Sequence, residues 1–211
     1  FIFLIVNAQI VLIIHFYNRE KLKTNMMVSL SLEIKIMKSK YKKEDIRIFL
    51  LESNAIEDVF DEQSLKDALK AWKYLSKQDV LTIEVILETH KILMENQPLS
   101  ELPEIDKGRF RLQPVWIGGR EGIEWSKIPP TMDEWIKDVD NTIRASVINL
   151  NEENEKRVKT DHVTFEHAHP FINGNGREGR LLMLWERLQI GLPILIIKAD
   201  ERWKYYEWFK N

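Results

Sequence analysis

The twelve residues from His169 to Arg180 concentrate the groups of this 211-residue chain best suited to chemistry on phosphates. Gly174, Gly176 and Gly179 are three of only eight glycines in the chain, and they fall within six residues. Glycines at a helix start let backbone N–H groups point into a concave site, and the helix N-terminus adds partial positive charge. Gly174-Asn175-Gly176 therefore has the make-up of a phosphate cradle. Arg177 and Arg180 stand three apart on the first turn of the helix that follows, where each guanidinium can grip phosphate oxygens through paired hydrogen bonds. His169 comes just before the cradle, stiffened by Pro170, and an imidazole beside bound phosphate can take a proton from an incoming hydroxyl. Such a group suits transfer of a phosphate-linked moiety, which needs positioning and charge neutralisation more than covalent help.

The elements that must hold this segment read as helix after helix from about Lys42 onward. Ile46, Phe49, Leu50 and Ile56 make one apolar stripe, Leu65, Leu69, Trp72 and Leu75 a second, and Ile83, Ile86, Leu87, His90 and Met94 a third, ended by Pro98. After Pro129-Pro130 the pattern resumes with Met132, Trp135, Ile136 and Val139, and Asn149 to Asn154 reads as a polar loop. Val158, His162, Phe165 and His169 keep helical spacing. Leu181, Leu184, Trp185 and Leu188 then share one face of a helix that stops at Gly191 and Pro193. The exception is Arg109 to Ile117, where alternation before Gly118-Gly119 predicts a short hairpin, with Pro114 marking an exposed edge strand and Trp116 a packing anchor. The fold class expected is all-α with one small β-hairpin.

With 44% hydrophobic residues the chain can bury one substantial core, so a single globular domain is expected over residues 42–211. Thirty-one Lys and Arg against 33 Asp and Glu argue against a protein that coats nucleic acid. The lack of cysteine excludes disulfides and thiolate metal sites and fits a cytoplasmic location. Residues 1–41 read as an N-terminal extension, either a fragment edge or upstream sequence read through, with Met26, Met27 and Met37 as alternative starts. Its apolar run from Phe1 to Tyr17 is interrupted by Asn7, Gln9 and His15 and is short for a membrane span, so no membrane role is expected. His162, Glu166 and His169 share a helical face with His167 nearby. The pattern is not that of a zinc site, and His162 is expected to support the loop from the core.

His169-Pro170-Phe171-Ile172-Asn173-Gly174-Asn175-Gly176-Arg177-Glu178-Gly179-Arg180 closely resembles the signature of Fic-domain proteins, H-x-F-x-(D/E)-G-N-G-R-x-x-R. His162, Phe165 and Glu166 resemble the helix leading into that family's loop. Gly108, Arg111, Val115 and Ile117 match its target-docking flap, and Arg202, Tyr205 and Tyr206 resemble its closing helix. The resemblance runs from about Ile46 to the C-terminus. It implies a Fic-type helical core with a small β-hairpin flap that moves AMP from ATP, with Mg²⁺, to a Ser, Thr or Tyr hydroxyl of a target protein. His169 would be the general base, Gly174, Asn175 and Gly176 the anion hole, Arg177 the holder of the transferred end of the triphosphate, and Arg180 the holder of the γ-phosphate. Phe171 would be a buried anchor of the loop. Arg111, Val115 and Ile117 would form the docking flap, at an edge suited to strand addition.

Asn173 departs from the signature, standing where the family carries a carboxylate metal ligand, and so predicts weaker metal affinity. Ser53-Asn54-Ala55-Ile56-Glu57-Asp58 resembles the family's inhibitory motif, (S/T)-x-x-x-E-(G/N), placed ahead of the core, with Asp58 departing at its last position. Ser53 and Glu57 are the inhibitory residues on this reading, and Glu57 would occupy Arg180. The alternatives are the same fold transferring phosphate or another nucleotide, and a weakly catalytic, toxin-like regulatory module. A homo-oligomer is compatible with all of them.

Overall fold

The computed structural model describes residues 42–98, 100, 102–148 and 152–210. The N-terminal extension and residues 149–151 of the expected polar loop lie outside them, while Glu152 to Asn154 already belong to a helix. The first three helices start where a side chain takes up backbone N–H groups that have no intrahelical partner. In α1 (Lys43–Ile56) Asp45 Oδ2 accepts the Lys42 N–H at 3.0 Å. Asp61 Oδ1 accepts from Ser64 N at 2.8 Å to open α2 (Glu62–Leu75). Thr82 Oγ1 accepts from Val85 N at 3.3 Å to open α3 (Ile83–Leu93).

α2 lies along α3, and its inner face differs from the expected stripe. Leu65, Ala68, Ala71 and Leu75 face the core, while Leu69 is 36% exposed. Two alanines on the inner face allow close approach of α3, and the space goes to Asp67, which receives Gln63 Nε2 and Asn96 Nδ2, each at 3.0 Å to its Oδ1.

α4 (Ile128–Ile148), α5 (Glu152–Ala168) and α6 (Asn175–Gln189) pack successively on one another. Pro129 and Pro130 fall in the first turn of α4, where a missing N–H costs no helical bond. The α4–α5 seam is tied by Trp135 Nε1 donating to Asp161 O at 2.7 Å and Thr142 Oγ1 donating to Asp161 Oδ2 at 2.8 Å. α6 is the central helix: every residue from Arg177 to Gln189 is buried, not only the Leu181, Leu184, Trp185 and Leu188 face. Its polar members largely find partners inside. Arg187 pairs with Glu155 at 3.0 Å and donates to Pro193 O at 2.9 Å, and Gln189 Nε2 donates to Gln78 O at 3.2 Å.

The expected hairpin is present and shorter than its alternating pattern. Only β1 (Trp116–Ile117) and β2 (Arg120–Glu121) pair, antiparallel, around Gly118 and Gly119 at φ +54° and +83°. Residues 109–115 are irregular: the Arg111 side chain takes up the Gln113 carbonyl, and Pro114 has no N–H for a ladder. α7 (Arg202–Tyr206) closes the chain over α1, through Arg202 Nη1 donating to Ile56 O at 3.1 Å and Asp58 Oδ1 at 2.8 Å. The described residues form an all-α fold with this one small hairpin. Among the described residues no helix is long and apolar enough to cross a membrane.

Candidate active site

α5 ends at Ala168, and His169 turns the chain into a left-handed conformation at φ +46°. That geometry costs a residue with a Cβ roughly 1–2 kcal/mol, and it persists because the surroundings hold it. Arg111 supplies the hold: Nε donates to His169 O at 2.8 Å, Nη2 to Ile123 O at 2.6 Å, Nη1 to Gln113 O at 2.9 Å, and the backbone N–H to Pro170 O at 2.9 Å. Arg111, expected on the docking flap, is 1% exposed, with its guanidinium turned inward onto these carbonyls.

The His169 ring lies with Nδ1 3.2 Å from Glu166 O. A carbonyl only accepts, so Nδ1 carries the proton and Nε2 keeps its lone pair. Burial, more than any neighbour, lowers the imidazole pKa, with the Arg111 charge adding to it. The neutral form is favoured, as a proton acceptor requires.

Beyond Pro170 the loop is pinned from below. Phe171 is fully buried and stacks on His90, centroids 3.7 Å apart and 6° between planes. The Asn175 carboxamide brackets Phe171, its Oδ1 accepting from Phe171 N at 2.8 Å and its Nδ2 donating to Phe171 O at 2.9 Å. Asn175 is thus committed to the loop by its side chain, leaving only its backbone N–H for an anion. Gly174 precedes α6 at φ +82°, and a Cβ there would lie 2.6 Å from Met94 Sδ. Asn173 is half-buried, and its Oδ1 accepts from Gly174 N at 2.6 Å.

α6 then directs Arg177 from its first turn and Arg180 from its second. Arg177 Nη2 reaches Gln97 Oε1 at 3.4 Å. Arg180 is buried among ligands: Nε donates to Ser53 Oγ at 2.9 Å, Nη2 to Ser53 O at 2.8 Å and Glu57 Oε1 at 2.7 Å, and Nη1 approaches the Tyr205 hydroxyl at 3.4 Å. The same Glu57 oxygen would sit 2.2 Å from a Cβ at Gly176, so the C-terminus of α1 delivers a carboxylate to the mouth of the cradle. Asp58 follows at φ +56°, a conformation Gly and Asn adopt readily and Asp tolerates best among the rest, which accounts for its standing where the motif has Gly or Asn.

His162 is buried, with Nε2 2.8 Å from the Tyr205 hydroxyl, and burial followed by the Arg180 charge pushes its pKa down to about 3. Glu166 is buried as well, pushed up to about 8 by burial, and lies against Gly179. No group of three or more His, Asp or Glu side chains able to hold a metal occurs among the described residues.

On the flap, Val115 and Ile117 are half-buried and pack over Gly122, while Trp116, expected as an anchor, is 71% exposed. Alternation accounts for this: with Val115 and Ile117 turned in, Trp116 must turn out. Two residues matter here that spacing does not single out. Arg111 braces the loop, and His90, whose spacing made it one member of an apolar stripe, supports Phe171. The signal available for His90 was a polar ring inside an otherwise apolar stripe.

The sequence model of the Fic/DOC family matches residues 80–186. Protein adenylyltransferase Fic of Aedes aegypti is 29% identical over 155 residues, and that of Drosophila ananassae 31% over 144 residues. In each case the match covers 66% of this chain and 27% of the relative, so the chain spans about a quarter of these proteins' length. Among solved structures, a Fic domain containing signaling protein from Bacteroides thetaiotaomicron superposes with a TM-score of 0.61 at 18% identity, covering 86% of this chain and 79% of that one. Fic-1 from C. elegans gives a TM-score of 0.53 at 20% identity, covering 89% of this chain and 63% of that one.

Proposed function

The chain belongs to the Fic/DOC family, and on that premise we propose that it transfers AMP from ATP to a Ser, Thr or Tyr hydroxyl of a target protein in the cytoplasm, with His169 as general base. The observation that carries the reading is the His169 ring, which keeps a lone pair at Nε2 and lies near enough to feel the charge of Glu57, the carboxylate set against Gly176 and Arg180 of α6. In the reaction the target hydroxyl oxygen bonds to the α-phosphorus as Nε2 takes its proton, and the bond to the β-phosphate breaks to release pyrophosphate. Backbone N–H groups of Gly174, Asn175 and Gly176 would face the phosphates, Arg177 would hold the transferred end, and Arg180 would hold the γ-phosphate once Glu57 leaves it. The open edge of β1, with Val115 and Ile117 packed beneath, would take the target segment by strand addition. Ser53 and Glu57 form the brake.

Incubation with ATP labelled at the α or γ position tests the activity. Label retained only from the α position is expected. Retention only from γ would make the protein a kinase, and none from either would leave a binding module.

Mg²⁺ would find one side-chain ligand here, Asn173, whose Oδ1 already accepts the Gly174 N–H and has a second lone pair to offer. A lone carboxamide fits an ion that keeps several waters and takes its other ligands from phosphates; such an ion would offset negative charge on the triphosphate. Without a carboxylate's charge the affinity is low. Asn173→Asp is expected to lower the Mg²⁺ concentration for half-maximal transfer roughly tenfold, a modest share of the attraction between a carboxylate and a dication. Identical Mg²⁺ and Mn²⁺ titrations for the two proteins would remove Asn173 from the metal site.

A further inference from the structure

We propose that His90 is a positioning residue for the transfer, holding the backbone at Asn173 by bridging it to Gly108; the proposal rests on the adenylyltransferase reading. His90 is fully buried on α3, and both of its ring nitrogens are engaged. Gly108 N lies 2.9 Å from Nδ1, and because an amide N–H only donates, Nδ1 must hold the lone pair. The ring proton is then on Nε2, which donates to Asn173 O at 2.9 Å. One tautomer satisfies both bonds, so the imidazole works as a rigid strut with a donor at one end and an acceptor at the other.

Two features show that the strut is built in rather than incidental. Gly108 stands at φ +69°, and a Cβ there would fall 2.7 Å from Lys91 Cβ and 2.8 Å from Leu87 O, so only bare backbone can come close enough to α3 to reach the ring. The ring face is fixed too, by the parallel stack on Phe171 inside the loop being positioned.

The location explains what the strut does. Arg111, three residues after Gly108, grips the start of the loop at His169 O and Pro170 O. His90 carries Gly108's hold to the other end of the loop, at Asn173. One short segment thereby fixes both the general base and the residue that opens the cradle. Releasing Asn173 O would let the peptide before Gly174 rotate, moving the Asn173 carboxamide and the first N–H groups of α6. Arg177 and Arg180, carried by the body of α6, would stay. The chemical step should therefore suffer more than ATP capture.

The test uses the Glu57→Gly protein as parent. His90→Gln places an amide N–H where Nε2 donates, His90→Asn places a carbonyl oxygen where Nδ1 accepts, and His90→Phe keeps the stack with neither polar end. For Asn and Phe, kcat is expected to fall about 10- to 100-fold with the KM for ATP nearly unchanged, and for Gln only severalfold. Amide exchange in the peptide spanning 170–176 should rise in Asn and Phe and stay near the parent's in Gln. Parent-like kcat in His90→Phe, equal losses in Gln and Asn, or losses that follow melting temperature alone would overturn the proposal. Should the parent itself transfer no AMP, the adenylyltransferase reading is what fails, and the exchange comparison still decides whether His90 holds the loop.

Discussion

Replacing Glu57 with glycine is expected to raise the initial rate of AMP transfer about 10-fold, with 100-fold as the upper end, from the worth of a charge-assisted hydrogen bond of about 1.5–3 kcal/mol. The carboxylate sits 2.7 Å from Arg180 Nη2 and against Gly176, where the proposed function would place a γ-phosphate oxygen. Arg180 cannot turn elsewhere: its side chain is 1% exposed and Ser53 holds it through both side chain and backbone. A phosphate must therefore displace the carboxylate rather than draw the arginine out. Glu57 is 38% exposed, so water screens part of the attraction, and this favours the lower figure. Removing the carboxylate should leave the arginine positioned, because the Ser53 contacts remain. ATP affinity and transfer rate should rise together. Equal rates for the native protein and Glu57→Gly at both subsaturating and saturating ATP, with Arg180 still required, would mean that this contact restrains nothing.

Much of this arrangement could be read in the chain because it depends on local rules. The glycines at a helix start, the two arginines one turn apart and most of the helical stripes follow from backbone geometry and period alone: Gly174 precedes α6, and Gly176, Arg177 and Arg180 lie within it. What could not be read depends on contacts between residues far apart in sequence. Arg111 looked like a surface residue of a flap, yet its guanidinium closes the end of α5, some 57 positions away. No local pattern announces an arginine used to satisfy orphan helix carbonyls. The burial of α6 on all sides was hidden for a similar reason. Glu178, Arg180, Glu186 and Arg187 make it look amphipathic, whereas two of the four charges are neutralised by partners on α1 and α5. For Glu178 and Glu186 burial raises the carboxyl pKa well above its ordinary value, which favours the uncharged form inside the core. Trp116, expected as a packing anchor, is exposed because alternation from Val115 and Ile117 turns it outward. Asp58 shows the reverse case: its departure from the motif becomes intelligible once its left-handed backbone is seen.

Loss of the His169 imidazole is expected to lower AMP transfer by about 10²–10⁴-fold, the usual contribution of a placed general base. Asparagine is the informative replacement. His169 stands at φ +46°, which asparagine accepts with little strain, so His169→Asn should keep the turn that Arg111 clamps while removing the proton acceptor. In the Glu57→Gly background that variant should bind ATP as the parent does, since the cradle and both arginines are untouched, and fail only in transfer. The pH dependence makes a second, independent demand. The base acts while neutral, so the rate must fall on the acid side as Nε2 becomes protonated. Burial and Arg111 put that fall below the imidazole's ordinary value of 6.5. Glu57 is among the influences that raise the pKa, so removing it should move the acid limb further down, not up. A limb in kcat/KM centred above 6.5, or transfer by His169→Asn at the parent rate, would assign the proton to another group.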